Sequence, residues 1–187
     1  LLVNFVKEPE AFVNVALDGL TRGTIYGVVA LGYTLVYGIL QLINFAHGDV
    51  FALSGLVAST VILSLLGLTA DSSGVAVAGG ILVTLAITLP MFAIINASIE
   101  TVAYRPLRGA ARLTPLITAV GMSFIVQNVS LAVYGVDYES ASDIIPQGAA
   151  FTIGDIRVTW KLIAALLIIV PALLVLSWFV AYTKQGK

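Results

Sequence analysis

The chain has 187 residues, 10% of them charged, a net charge of −1 and a mean hydropathy of +1.05. A soluble domain carries about 25% charged residues, so this chain cannot cover a water-facing surface, and its charge leaves no footprint for nucleic acid. The absence of cysteine excludes disulfides and thiolate metal sites.

Lys7, Glu8, Pro9 and Glu10 interrupt the apolar start, so no cleavable signal peptide is expected. Five charge-free windows follow: Gly23 to His47 (25 residues), Val50 to Ala70 (21), Ser72 to Ile99 (28), Leu113 to Val136 (24) and Leu162 to Thr183 (22). A helix needs about 20 apolar residues to cross the hydrocarbon core. Barrel strands would be about 10 residues long and strictly alternating, which these windows are not. The fold class expected is an all-α integral membrane protein of about five transmembrane helices, in one domain over 1–187.

The first helix is expected from about Ala11 to Leu40. Asp18 and Arg22 stand i,i+4 near its start, where they can pair on one face. An interfacial pair is preferred over an ion-pathway carboxylate, because charges deep in lipid are rare. Gly19, Gly23 and Gly27 form two overlapping GxxxG motifs. Such a face lets a neighbouring helix come close, and intramolecular packing is preferred over a subunit interface.

The second helix is expected from about Phe45 to Leu66, after "INFAHGDVF". Here Asn44, His47 and Asp49 gather between apolar runs, and His47 is the only histidine. One reading is a helix start: Asn44 as N-cap, His47 in the first turn, and Asp49 favoured by the helix dipole. The other is a broken-helix site, since helix N-termini at membrane depth face anionic substrates and ionisable residues there mark pathways. One histidine and one aspartate make no metal site, and no nucleophile–base pair is present, so no catalytic residue and no metal are assigned.

The third helix is expected from about Val75 to Thr101, kinked at Pro90. "ETVAYRPLRGAARLTP" then puts Arg105, Arg108 and Arg112 before a fourth helix, about Thr114 to Tyr134, with Pro115 in its first turn. Gln127 and Asn128 on that helix are candidates for interhelical hydrogen bonds or pathway lining. "AFTIGDIRVTW" alternates on both sides of Gly154-Asp155, as a short β-hairpin would. A fifth helix, about Lys161 to Tyr182, contains Pro171 and has Trp160, Trp178 and Tyr182 towards its ends. The arginine-rich loop and the Lys184/Lys187 tail fall on one side, which the positive-inside rule makes cytoplasmic. The N-terminus and the 137–161 loop then lie outside.

"NVALDGLTRGTIYGVVALGYTLVYGILQLINFAHGDVFALSG" closely resembles the start of the permease subunits of branched-chain amino-acid ABC transporters, with "NFAHGD" after "GYTLVYGI" its most specific part. "ETVAYRPLRGAARLTPLITAVGMSFIVQN" resembles the same family's third-to-fourth helix segment. The resemblance implies a multi-pass importer subunit of the cell membrane with an external N-terminus. Its implied partners are a second homologous permease, two ATPase subunits and an extracytoplasmic protein delivering leucine, isoleucine or valine. Permeases for urea and short amides carry a similar motif and remain an alternative substrate class. Family members continue past the position of Lys187 with a segment that docks on the ATPase, so the chain is expected to be the N-terminal portion of such a subunit. No GxxxxGK[ST] occurs; no cofactor is expected on this chain, with ATP and magnesium on the partner ATPases. The arginine loop is read equally as a contact for an ATPase subunit or as a positive-inside anchor. The resemblance makes Asn44, His47 and Asp49 a signature at a helix break, structural first and in contact with substrate second. A self-sufficient channel or secondary transporter would need its own ion site, and Asp18 and Asp49 are too few and too terminal to supply one.

Overall fold

The structure, a computed structural model, describes residues 9–40, 43–107, 109–111, 113–136, 144–146 and 148–182. Five long helices and one hairpin follow in chain order: α1 (Pro9–Leu40), α2 (Ala46–Thr60), α3 (Gly74–Ile99), α4 (Leu113–Tyr134), β1 (Ala149–Ile153), β2 (Ile156–Thr159) and α5 (Trp160–Tyr182). Among the described residues, four stretches are long and apolar enough to cross a membrane: Ala46–Leu65, Gly74–Leu107, Leu113–Tyr134 and Trp160–Trp178. Helix α1 has 32 residues; Glu10, Asp18 and Arg22 lie in its first half, and it is free of charge from Gly23 onward. Exposed apolar side chains run along every helix, the surface of a chain whose solvent is lipid rather than water. The chain is an all-α membrane protein with a small two-stranded sheet.

The residues divide into two compact units, one of residues up to 31 together with those from 145 onward, the other of residues 32–144.

In the first unit, β1 and β2 pair antiparallel, with Ile153 opposite Ile156 and a register irregularity between Ala149 and Phe151. The two-residue connection is the Gly154-Asp155 expected from the alternation. Gly154 has φ +62°, a left-handed conformation in which a side chain would be strained. The side chain of Asn14 on α1 grips this turn from both directions. Its amide donates to the Asp155 carbonyl at 2.9 Å and its oxygen accepts from the Arg157 N–H at 2.7 Å.

In the second unit, α2 and α3 each end in a widened turn. A π-turn over Val61–Leu65 closes α2, with Leu66 N–H on the Val61 carbonyl and Leu68 N–H on that of Ile62. Gly67, at φ +60°, then reverses the chain. Ser73 caps α3 by accepting from the Ala76 N–H. Gly80 lies under the side chain of Leu68, and a methyl group there would collide with it. Pro90 sits inside α3 without ending it. Helix α3 was expected to stop near Thr101. Instead a π-turn over Glu100–Tyr104 and a 3-10 turn over Arg105–Leu107 extend it.

The π-turn has a structural consequence. In an α-helix, residues five apart point to different faces. The wider turn, closed by Arg105 N–H on the Glu100 carbonyl, makes five residues close to one revolution. Ile99 and Tyr104 therefore both face inward, joining Val50, Phe92, Ala119 and Val126 in one core cluster. Leu53 and Val57 of α2, Ile95 and Ala103, and Met122 of α4 pack around it.

Most polar side chains in these helices bond to their own backbone. Thr60, Thr88, Asn96, Ser98, Thr101, Thr118 and Ser130 each donate to the carbonyl four residues earlier, which removes the cost of a bare polar group in an apolar medium. Thr84 on α3 differs. It is 4% exposed, and its hydroxyl has no partner among the described residues. Because an unsatisfied buried donor costs about 1–3 kcal/mol, the isosteric Thr84→Val is expected to stabilise the full-length protein by about 1 kcal/mol. Thermal unfolding in mild detergent reads this out; an unchanged or lowered midpoint would mean that the hydroxyl has a partner in the native membrane.

Candidate functional site

Asn44, His47 and Asp49 stand at the start of α2, within the second unit. The helix begins at Ala46, with Phe45 in the cap position and no side-chain cap bond. Asn44 was expected to cap; it does not. Its side-chain oxygen accepts instead from the Tyr104 hydroxyl at 2.7 Å, while its main-chain carbonyl takes the His47 N–H at 3.2 Å. Both partners of the side-chain bond are buried. The bond therefore ties the entrance of α2 to the end of α3 across 60 positions of sequence.

His47 points towards the last part of α1. Its ring meets Tyr33 edge-on, centroids 6.0 Å apart at 65°. A methyl group at Gly32 would stand 3.3 Å from its Nε2, so the missing side chain of Gly32 is what allows the ring to lie against the helix.

Asp49 faces the other way, to α4. Ser123 donates its hydroxyl to one carboxylate oxygen, Oδ2. Gln127 donates its amide to the other, Oδ1, at 3.0 Å, and also reaches the Ser123 oxygen at 3.2 Å. Ser123 and Gln127 are four apart and so share a face of α4. Small residues sit one turn before each side of this junction: Ala46 (0% exposed) precedes Asp49 by three, and Ala119 (1% exposed) precedes Ser123 by four. Small side chains at such positions let membrane helices approach until polar groups can bond between them. Ser123 had not been singled out, because a serine in a membrane helix ordinarily bonds its own backbone.

The remaining expected residues lie apart. Asn128 donates to the Phe124 carbonyl of its own helix at 2.8 Å. Arg105 is exposed in the 3-10 turn at the end of α3; Arg108 and Arg112 lie outside the described residues. Gly19, Gly23 and Gly27 were expected to pack against a helix of the same chain, yet a methyl group at any of them would meet nothing within 4 Å among the described residues. Among those residues no group of three or more His, Asp or Glu side chains is placed to hold a metal.

At the hairpin of the first unit, the Asp155 carboxylate hydrogen-bonds and repels the carboxyl of Glu10, raising it above its ordinary value of 4.5. A raised carboxyl favours the protonated form in the folded contact. The contact is complete below the ordinary value and is lost as the pH rises through the raised one. Amide exchange over 149–159, corrected for intrinsic rates, is expected to speed up across that interval. In Glu10→Gln, which donates at every pH, the step should disappear; a step that persists would place its origin elsewhere.

Four stretches long and apolar enough to cross a membrane, among the described residues, define a multi-pass protein of the cell membrane. Residues 15–187 match the family model described as branched-chain amino acid transport system / permease component, and the chain belongs to that family. It is 35% identical over 179 residues to the high-affinity branched-chain amino acid transport system permease protein LivH of Salmonella typhimurium and equally to LivH of Escherichia coli, covering 94% of this chain and 57% of each relative. It is 31% identical over 174 residues to the permease protein BraD of Pseudomonas aeruginosa, covering 91% of this chain and 55% of that protein. The chain thus spans a little over half the length of these relatives. No solved structure matches it.

Proposed function

We propose that this chain forms part of the membrane-spanning permease subunit of an ATP-driven importer of branched-chain amino acids. The observation that carries the reading is the family match across residues 15–187. The transport subunit itself is not an enzyme. Two separate ATPase subunits bind ATP and magnesium, a second homologous permease completes the pathway, and an extracytoplasmic binding protein delivers leucine, isoleucine or valine. The arginines of the 105–112 segment put the end of α3 on the cytoplasmic side, and the hairpin and the N-terminus outside.

Two measurements test this. The first is the intact mass of the complex that co-purifies with the full-length protein in mild detergent, expected to contain a second permease and two ATPases. The second is uptake of leucine, isoleucine and valine into proteoliposomes with ATP on the ATPase side, expected to be ATP-dependent and insensitive to a protonophore. Copies of this chain alone, with protonophore-sensitive uptake, would identify a secondary transporter. An intact complex that carried urea or short amides in place of amino acids would keep the architecture and replace the substrate.

A further inference from the structure

Asp49 lies in the first turn of a membrane span. Its two hydrogen-bond donors, Ser123 and Gln127, are neutral. They orient a carboxylate without offsetting its charge, and among the described residues no cationic side chain pairs with it. A carboxylate offers about four acceptor positions, so two donors leave both oxygens able to accept more. A charge held in a span is costly unless it is paired or faces a water-filled path. The counter-charge is therefore to be sought outside the described residues.

The junction is open on one side. Asp49 and Ser123 are half-buried, while Gln127 is exposed. Leu116, Val120, Ser123, Gln127 and Leu131 follow one another at spacings of four, three, four and four, a single stripe along α4. All three of its aliphatic members are exposed. A fixed carboxylate thus stands within a strip of aliphatic surface, with no cation paired to it among the described residues. A small molecule with an ammonium group and a branched aliphatic side chain matches both parts.

Resting on the permease reading above, we propose that Asp49, oriented by Ser123 and Gln127, is the subsite for the α-ammonium group of the transported amino acid, with the aliphatic residues of the α4 stripe lying beside its side chain. Asp49 contacts the substrate; Ser123 and Gln127 are positioning residues. The site reads the ammonium and the apolar chain, and needs no partner for the substrate carboxylate within this junction.

The test uses the full-length transporter complex in nanodiscs, without binding protein, and three probes. Leucine carries ammonium, carboxylate and side chain; leucinol lacks the carboxylate; 4-methylpentanoate lacks the ammonium. Affinities are measured by saturation-transfer NMR. Asp49→Asn keeps the shape and one acceptor oxygen but removes the charge. It is expected to weaken leucine and leucinol about tenfold or more, as loss of a charge-assisted bond should, and to leave 4-methylpentanoate unchanged. Gln127→Lys supplies a second reading where Asp49→Asn does not assemble. It places a tethered ammonium at the carboxylate and is expected to exclude leucine and leucinol while 4-methylpentanoate still binds. Wild-type affinity for leucine in either variant overturns the proposal alone. So does equal weakening of all three probes, which is the mark of a packing role, or release of the second permease from Asp49→Asn, which would make the missing counter-charge a partner's. A wild-type complex that binds neither leucine nor leucinol overturns the permease reading as well.

Discussion

Tyr104→Ala is expected to destabilise the full-length protein by about 3–5 kcal/mol, the range for truncating a large buried aromatic. Tyr104 is 3% exposed and belongs to the core cluster joining α2, α3 and α4. Alanine leaves a cavity among Val50, Ile99 and their neighbours, and removes the hydroxyl that donates to Asn44. The two losses can be separated. Tyr104→Phe keeps the ring and strands the buried Asn44 oxygen, at a cost of about 1–3 kcal/mol. Asn44→Leu strands the hydroxyl instead. If the bond is the link between them, the double substitution should cost less than the sum of the two singles, because each single removes the same interaction. Thermal unfolding in mild detergent measures all four proteins. Additive single effects would mean that Asn44 and Tyr104 stabilise the fold independently and that their contact is incidental.

That bond also shows where the sequence stops being readable. The five helices follow from uninterrupted apolar length, and the hairpin from alternation around Gly154-Asp155; both are local signals. Asn44 was readable as polar and placed at a helix start, and a helix start offers a local use for such a residue, the cap. Its actual partner is 60 residues away. Tyr104 can reach it only because a π-turn rotates the chain after Ile99, and nothing in "IETVAY" announces an extra residue in a turn. The charge-free window ended at Ile99, so the helix was expected to end just after it, near Thr101. The structure carries it past Glu100 to Leu107, because a charged residue near a membrane boundary does not stop hydrogen bonding along the backbone.

The Asp49 junction was half legible. Asp49 and Gln127 were each conspicuous as polar groups in apolar surroundings, but their pairing over 78 positions depends on the crossing of α2 and α4. The most buried residues of those two helices carry no polar signal at all. The glycine face of α1 drew attention and meets nothing within 4 Å among the described residues, whereas Ala46 and Ala119, unremarkable in the sequence, are the small residues at which α2 and α4 are most buried. His47, the rarest residue of the chain, contacts Tyr33 and Gly32 and stays apart from the carboxylate two positions on.

Ala119→Leu should therefore act on stability and on the site together. Ala119 is 1% exposed, in the cluster with Val50 of α2 and Val126 of its own helix. Three added carbons have no free volume to enter. Overpacking a close-packed interior costs about 1–3 kcal/mol, and relief requires α2 and α4 to separate. Ser123 stands one turn beyond Ala119, and Val50 adjoins Asp49. Any separation here opens the hydrogen bonds from Ser123 and Gln127 to the carboxylate first, since these are the contacts nearest the strain. The expected result is a lowered unfolding midpoint together with weakened binding of leucine and leucinol, although neither added methyl group touches Asp49. Ala119→Gly, which adds no volume, should keep the probe affinities while costing stability through the loss of a buried methyl group and the backbone freedom of glycine in a helix, about 1 kcal/mol. A leucine variant that lost stability but kept wild-type affinity for both probes would show that α2 and α4 can move apart without disturbing the Asp49 junction, and that the small-residue crossing and the polar site are built independently.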